Sequence, residues 1–164
     1  MTAAIISLVP SFPEPVEKEK ALTKFKYLLT NELNITDEYG ARYFGILPAS
    51  EFSIEAARLL YSKRDSAVNR LKQIRIICVL PSQEWAEGQS DAVKEVIRKA
   101  NKVVYVNGSI MQAVEHLSKN STYLISYCRN YSCTTADAIR LAYKVKPSLQ
   151  IFNTAAPPLH VLRH

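Results

Sequence analysis

Glycine is scarce in this chain: 164 residues contain four, and none lies in "LPASEFS" or "NYSCTTAD", two places where a strand gives way to a helix. A glycine-rich loop that cradles a phosphate on backbone N–H groups is therefore excluded at both. Long apolar runs are missing too. Nothing approaches the roughly 20 residues of a membrane span, so no membrane partner is expected. The opening "MTAAIISLVPSF" has no basic leader and is too short for a secretory segment with its cleavage site, so it reads as a first strand and a cytoplasmic location is expected. Cysteine is sparse and odd in number, at three. Cys78 and Cys128 fall inside the apolar runs "IRIICVLP" and "YLISYC", as buried thiols do. No pair has a metal-like spacing, and His116, His160 and His164 do not cluster with them, so neither metal nor cofactor is expected. Aromatic–basic clustering of the RNA-binding kind is absent as well. The net charge of +6 is spread along the chain, with "EKEKALTKFK" interleaving acids and "SKRDSAVNRLKQIR" the densest stretch. That spread favours a solvated surface over a nucleic-acid face.

What is present is an alternation of strand and helix. Hydrophobic content of 48% and charged content of 22% suit one globular domain with a sizeable core. Apolar runs at "AAIISLV", "ARYFGIL", "IRIICVLP", "KVVYV", "TYLISYC" and "LQIF" read as buried strands. Between them lie "PVEKEKALTKFKYLLTNEL", "FSIEAARLLYSK", "SDAVKEVIRKA", "SIMQAVEHLSK" and "TADAIRLAYKV", each with helical spacing of its apolar residues. Pro15 opens the first helix, and Ser53, Ser90 and Ser109 are the expected caps of the next three. Strands apolar throughout and separated by helices predict an α/β fold: a single, doubly wound, Rossmann-like three-layer sandwich with a mainly parallel sheet. Residues 1–153 form that domain and 154–164, with two prolines and little periodicity, a C-terminal tail that packs on the surface or reaches a partner.

Ligands in such sheets bind beyond the carboxyl ends of the strands. Four loops qualify: Pro10–Pro13, Pro48–Ser53, Pro81–Ser90 and Arg129–Thr135. The last offers an anion the N–H groups of a helix start, the hydroxyls of Ser132, Thr134 and Thr135, and the Arg129 guanidinium nearby. The plainer alternative is that one of these hydroxyls caps the helix. Pro48 removes a donor from the second loop and Glu51 adds negative charge, which turns an anion away. Trp85 in the third loop either stacks on a base or covers the sheet. Cys133 beside a helix start has no histidine base near in sequence, and Asp137 sits where an acid simply favours the helix dipole.

Over residues 3–153 the order of elements, "CVLP" followed by a Trp-containing loop, "KANKVVYV" and "STYLISY" together resemble the YpsA-like branch of the SLOG superfamily. These are Rossmann-like relatives of the LOG-type nucleotide phosphoribohydrolases and of the DNA-processing protein DprA. The resemblance implies a nucleotide-derived ligand, and association of copies through helices. The family's ligand motifs are altered here. Of the turn after the first strand only Pro10 remains. Leu47, Pro48, Glu51 and Ser53 replace the glycines and aspartate after the second strand, and Ala113 and Glu115 stand where arginines are expected. Gly-Gly-Thr becomes Cys133-Thr134-Thr135, with only Thr135 retained, and the phosphoribohydrolase signature is absent. The expected function is a non-catalytic binding module for a nucleotide-derived or other anionic small ligand, with Arg129, Ser132, Thr134, Thr135 and Trp85 at the site. Two alternatives stay open: a protein-interaction module on a scaffold that has lost its ligand, and a LOG-like phosphoribohydrolase.

Overall fold

Every apolar run pairs as a parallel strand, because a helix carries the chain back to the starting edge after each one. The structure, a computed structural model, describes residues 2–66, 71–130 and 133–155. In chain order the elements are β1 (Thr2–Ile5), α1 (Pro15–Asn31), β2 (Tyr43–Ile46), α2 (Glu51–Asp65), β3 (Arg75–Leu80), α3 (Gln83–Glu87), α4 (Asp91–Lys99), β4 (Lys102–Tyr105), α5 (Ile110–Lys119), β5 (Tyr123–Ser126), α6 (Thr134–Val145) and β6 (Gln150–Asn153). The strands form one sheet in the order β4-β3-β2-β1-β5-β6, parallel throughout. Ala4 of β1 lies between Gly45 of β2 and Leu124 of β5. The expected doubly wound α/β sandwich is what the chain adopts.

Two apolar clusters, one on each face of the sheet, hold the layers together. The first joins Phe25 of α1, Phe52 and Leu60 of α2 and Val96 of α4 to Ile5, Phe44 and Ile125. The second joins Leu117 of α5 and Ile139 of α6 to Ala4 and Leu124. Alternation continues past the end of β5: Tyr127 enters the first cluster and Cys128 the second. β2, β3 and β4 extend the sheet to one side of β1, and β5 and β6 to the other. The order thus reverses between β1 and β5, which makes their carboxyl ends the switch point where ligands bind in this architecture.

Two local expectations change. Ser50, not Ser53, caps α2: its extended backbone lets Oγ accept from the Ser53 N–H at 3.1 Å, and Ser53 Oγ accepts from the Ser50 N–H at 3.1 Å. Ser53 is therefore the inner half of a capping box, and α2 starts at Glu51. The segment Pro81–Ser90, expected as a loop, contains α3, because the Ser82 hydroxyl caps a further turn by accepting from Trp85 N–H at 3.1 Å. Thr154 Oγ1 donates to Ser126 O at 2.9 Å and Ala155 is buried, so the chain is still docked just past β6. The rest of the expected tail, 156–164, lies outside the described residues.

Candidate ligand site at the switch point

Helices that follow parallel strands all start at the carboxyl edge of the sheet, with unpaired N–H groups and a positive dipole end. How each start is satisfied separates them. Serine hydroxyls cap α2, α3, α4 and α5, through Ser50, Ser82, Ser90 and Ser109. At α5, Gln112 also returns its Oε1 to the Ser109 N–H at 2.6 Å. The helices that follow β1 and β5 differ. Glu14 at the start of α1 makes no side-chain cap bond. The cap of α6 is Cys133, whose sulfur accepts from Ala136 N–H at 3.4 Å. Sulfur is a weak acceptor. Among the described residues, the two helix starts without a hydroxyl cap are thus the two that flank the switch point.

Tyr127 lies at the same place. Its ring is 1% exposed, edge-on to Phe12 at 4.8 Å between centroids and stacked on Phe52 at 6.2 Å. Its hydroxyl has no hydrogen-bond partner among the described residues, and neither has the buried Oε2 of Glu17 in the first turn of α1. Burial raises the Tyr127 pKa; the Arg129 guanidinium opposes that rise and the Glu17 carboxylate adds to it. The phenol therefore stays a donor at neutral pH, within electrostatic reach of one cation and one anion. Leaving a buried polar group unpaired costs about 1–3 kcal/mol, so such groups invite an explanation.

Of the residues singled out from the sequence, Arg129, just past β5, and Thr134, the first residue of α6, are exposed. Thr135 is fully buried, and its Oγ1 accepts from Leu8 N–H at 2.8 Å. Its hydroxyl is a latch between the segment after β1 and α6. Ser132 lies outside the described residues. The α6 cap, expected to be a hydroxyl, is the Cys133 sulfur. Trp85 is half-buried on α3 against the first cluster, after β3. Three strand spacings of about 4.8 Å, about 14 Å in all, separate β3 from β5. Trp85 thus stands on the far side of β2 and β1 from the turn into α6. Tyr127 and Glu17 escaped the sequence reading because an aromatic in "LISYC" and an acid in a helix are indistinguishable from core and surface until the fold apposes them.

No family model and no curated protein matches the chain. The site is read from its own geometry.

A rival place at the same edge has its charges already paired. A cleft of about 440 Å³ runs between the starts of α2 and α4, bordered by Pro48, Glu51, Glu55 and Arg58. The Glu51 carboxylate accepts from Phe12 N–H at 2.9 Å and pairs with Lys18 at 3.3 Å. Glu55 pairs with Arg58 at 2.7 Å. The Glu51 side chain so takes the backbone donor that an anion would need, in addition to the repulsion its charge supplies. A glycine at 51 has no carboxylate to place there. Among the described residues no group of three metal-ligating side chains comes together.

Proposed function

We propose that this chain is a binding module for a small anionic ligand of the nucleotide class, seated at the crevice between the carboxyl ends of β1 and β5. The observation that carries the reading is the pairing, at that one place, of two helix starts without hydroxyl caps with a buried, unpartnered tyrosine hydroxyl. The polar groups there divide in a way that suits a nucleotide. The first turn of α6 and the Arg129 guanidinium favour phosphate. Glu17 Oε2 is an acceptor for a sugar hydroxyl or a base N–H, and Tyr127 is a donor between them. Interaction with a protein instead of a small ligand has one observation in its favour, a groove of about 320 Å³ lined by Tyr43, Ile77, Val104 and Leu117 on the α5 face of the sheet.

Thermal shift against nucleoside mono- and diphosphates and dinucleotides separates the two readings. A ligand at about 100 times its Kd stabilises by about 2.7 kcal/mol. For a domain of this size that is about 5–11 °C. Arg129→Ala and Tyr127→Phe should each reduce the shift, while Tyr127→Phe leaves the free protein as stable as before or slightly more, since the lost hydroxyl had no partner. No shift with any member at millimolar concentration, or a shift indifferent to both substitutions, returns the protein-interaction reading to first place.

A further inference from the structure

Cys128 and Cys133 have four residues between them, neither a metal-like nor a redox-motif spacing, yet the fold puts their sulfurs 3.3 Å from each other. Both thiols donate to the same carbonyl oxygen, Asn130 O, at 3.2 Å each. Each is free. Cys128 is fully buried in the second cluster, and Cys133 is half-exposed at the start of α6. Two thiolates sharing a tetrahedral zinc at about 2.3 Å would lie about 3.8 Å apart, and no third soft ligand joins them among the described residues. A disulfide needs about 2.05 Å between sulfurs, a closure of about 1.2 Å from the observed contact. Cys78 is no competitor, because it lies on β3 in the first cluster, on the other face of the sheet from Cys128.

We propose that Cys128 and Cys133 form a reversible dithiol–disulfide site that a hydroperoxide oxidises and a small dithiol or dithiol protein reduces. Cys133 is the half that meets the oxidant. Its sulfur attacks one peroxide oxygen, the O–O bond breaks, and water leaves with the thiol proton, giving a sulfenic acid. The Cys128 sulfur then attacks the Cys133 sulfur. The S–O bond breaks and hydroxide departs as a second water with the Cys128 proton, so two thiols and one hydrogen peroxide become one disulfide and two waters. Burial pushes the Cys128 thiol up to about 12, so it stays protonated until the neighbouring sulfur has been oxidised. The division of labour follows from exposure: an accessible sulfur to react, a buried one in contact to resolve it. The new bond ties the end of β5 to the cap of α6. The site does not depend on any ligand being bound.

Trypsin reads the outcome directly, because cleavage after Lys119, Arg129 and Arg140 places the two cysteines on separate peptides, 120–129 and 130–140. Full-length protein is treated with hydrogen peroxide, alkylated, and digested without reduction. The two peptides should appear joined, lighter by two hydrogens than their sum, and should separate after dithiothreitol. Cys133→Ser should abolish the joined species and Cys78→Ala should leave it. In Cys128→Ser the oxidation should stop at a Cys133 sulfenic acid that dimedone traps, a readout that survives if one of the other variants folds badly. Peptides that stay separate with both cysteines alkylated, Cys133 carried to sulfinic acid while Cys128 is still free, or a disulfide that includes Cys78 would each overturn the assignment.

Discussion

Gly40 sits in the turn between α1 and β2 with no room for a methyl group. A Cβ there would lie 1.7 Å from Asn34 O and 2.4 Å from Asn34 C, both backbone atoms, in a turn where Asn34 itself has φ 50°. At Gly45 the obstacle is softer: a Cβ would meet the tip of Leu117, Cδ2, at 2.5 Å. Backbone cannot step aside as a leucine tip can. Gly40→Ala should therefore destabilise by about 3 kcal/mol or more, and Gly45→Ala by about 1–2 kcal/mol. Urea unfolding of the two variants side by side checks the ranking, and the reverse order would contradict the packing of α5 on β2. Glu51 shows what a single residue reveals before and after folding. Its charge, and Pro48 beside it, told against an anion from the sequence alone. That its carboxylate accepts from Phe12 N–H, 39 residues earlier, was not legible, because the pairing exists only once β1 and β2 lie side by side.

At the scale of the element, α6 is held by its first turn. Thr135 buries a hydroxyl that answers the Leu8 N–H, so helix and post-β1 segment are fixed to each other by one bond inside the protein. Thr135→Ala leaves that amide without its acceptor and should cost about 1–3 kcal/mol, whereas Thr135→Ser retains the oxygen and should lose less. Chemical denaturation of the two variants measures the difference. Equal losses would show that the methyl group, not the hydroxyl, matters. In sequence Thr135 looked like a ligand hydroxyl because it stands at a strand-to-helix turn. Periodicity places the turn, but it does not say which of successive side chains points inward. The serine starts of α4 and α5 were readable, since a serine before an apolar-periodic stretch has a local mechanism. The sulfur cap of α6 was not, because cysteine has no such preference.

At the scale of the whole molecule, the buried weak acids Cys78, Cys128 and Tyr61 make stability fall at alkaline pH. Burial pushes Cys78 and Cys128 from an ordinary thiol value of 9.0 up to about 12, and raises Tyr61, whose hydroxyl donates to Val96 O at 2.6 Å. The sign follows from linkage. Below pH 9 both folded and unfolded thiols hold their protons, and stability is unaffected. Between about pH 9 and 12 the unfolded chain releases protons that the folded one keeps, so stability falls, by at most about 1.4 kcal/mol per pH unit for each group. Unfolding free energy measured at pH 8 and at pH 10.5 should decline accordingly. Cys78→Ala should shallow the decline, whatever its constant cost as a core truncation. A profile flat to pH 11 would mean that these thiols ionise in the folded protein.

Hydrophobic pattern and helix punctuation determined the architecture from the sequence alone. Runs such as "IRIICVLP" and "TYLISYC", apolar at most positions with no in–out alternation, bury both faces only within a parallel sheet covered on each side, and the right-handed crossovers leave few orders for the strands. Those are local causes with a global consequence, so they are visible in one dimension. Tertiary structure alone decided the rest: that β1 and β5 are neighbours, that the hydroxyl of Tyr127 and a carboxylate oxygen of Glu17 come within electrostatic reach with neither partnered among the described residues, and that Cys128 and Cys133 touch. Each of these depends on where a side chain ends after the strands are paired. That placement is set by the packing of both faces of the sheet together, which no stretch of sequence read by itself contains.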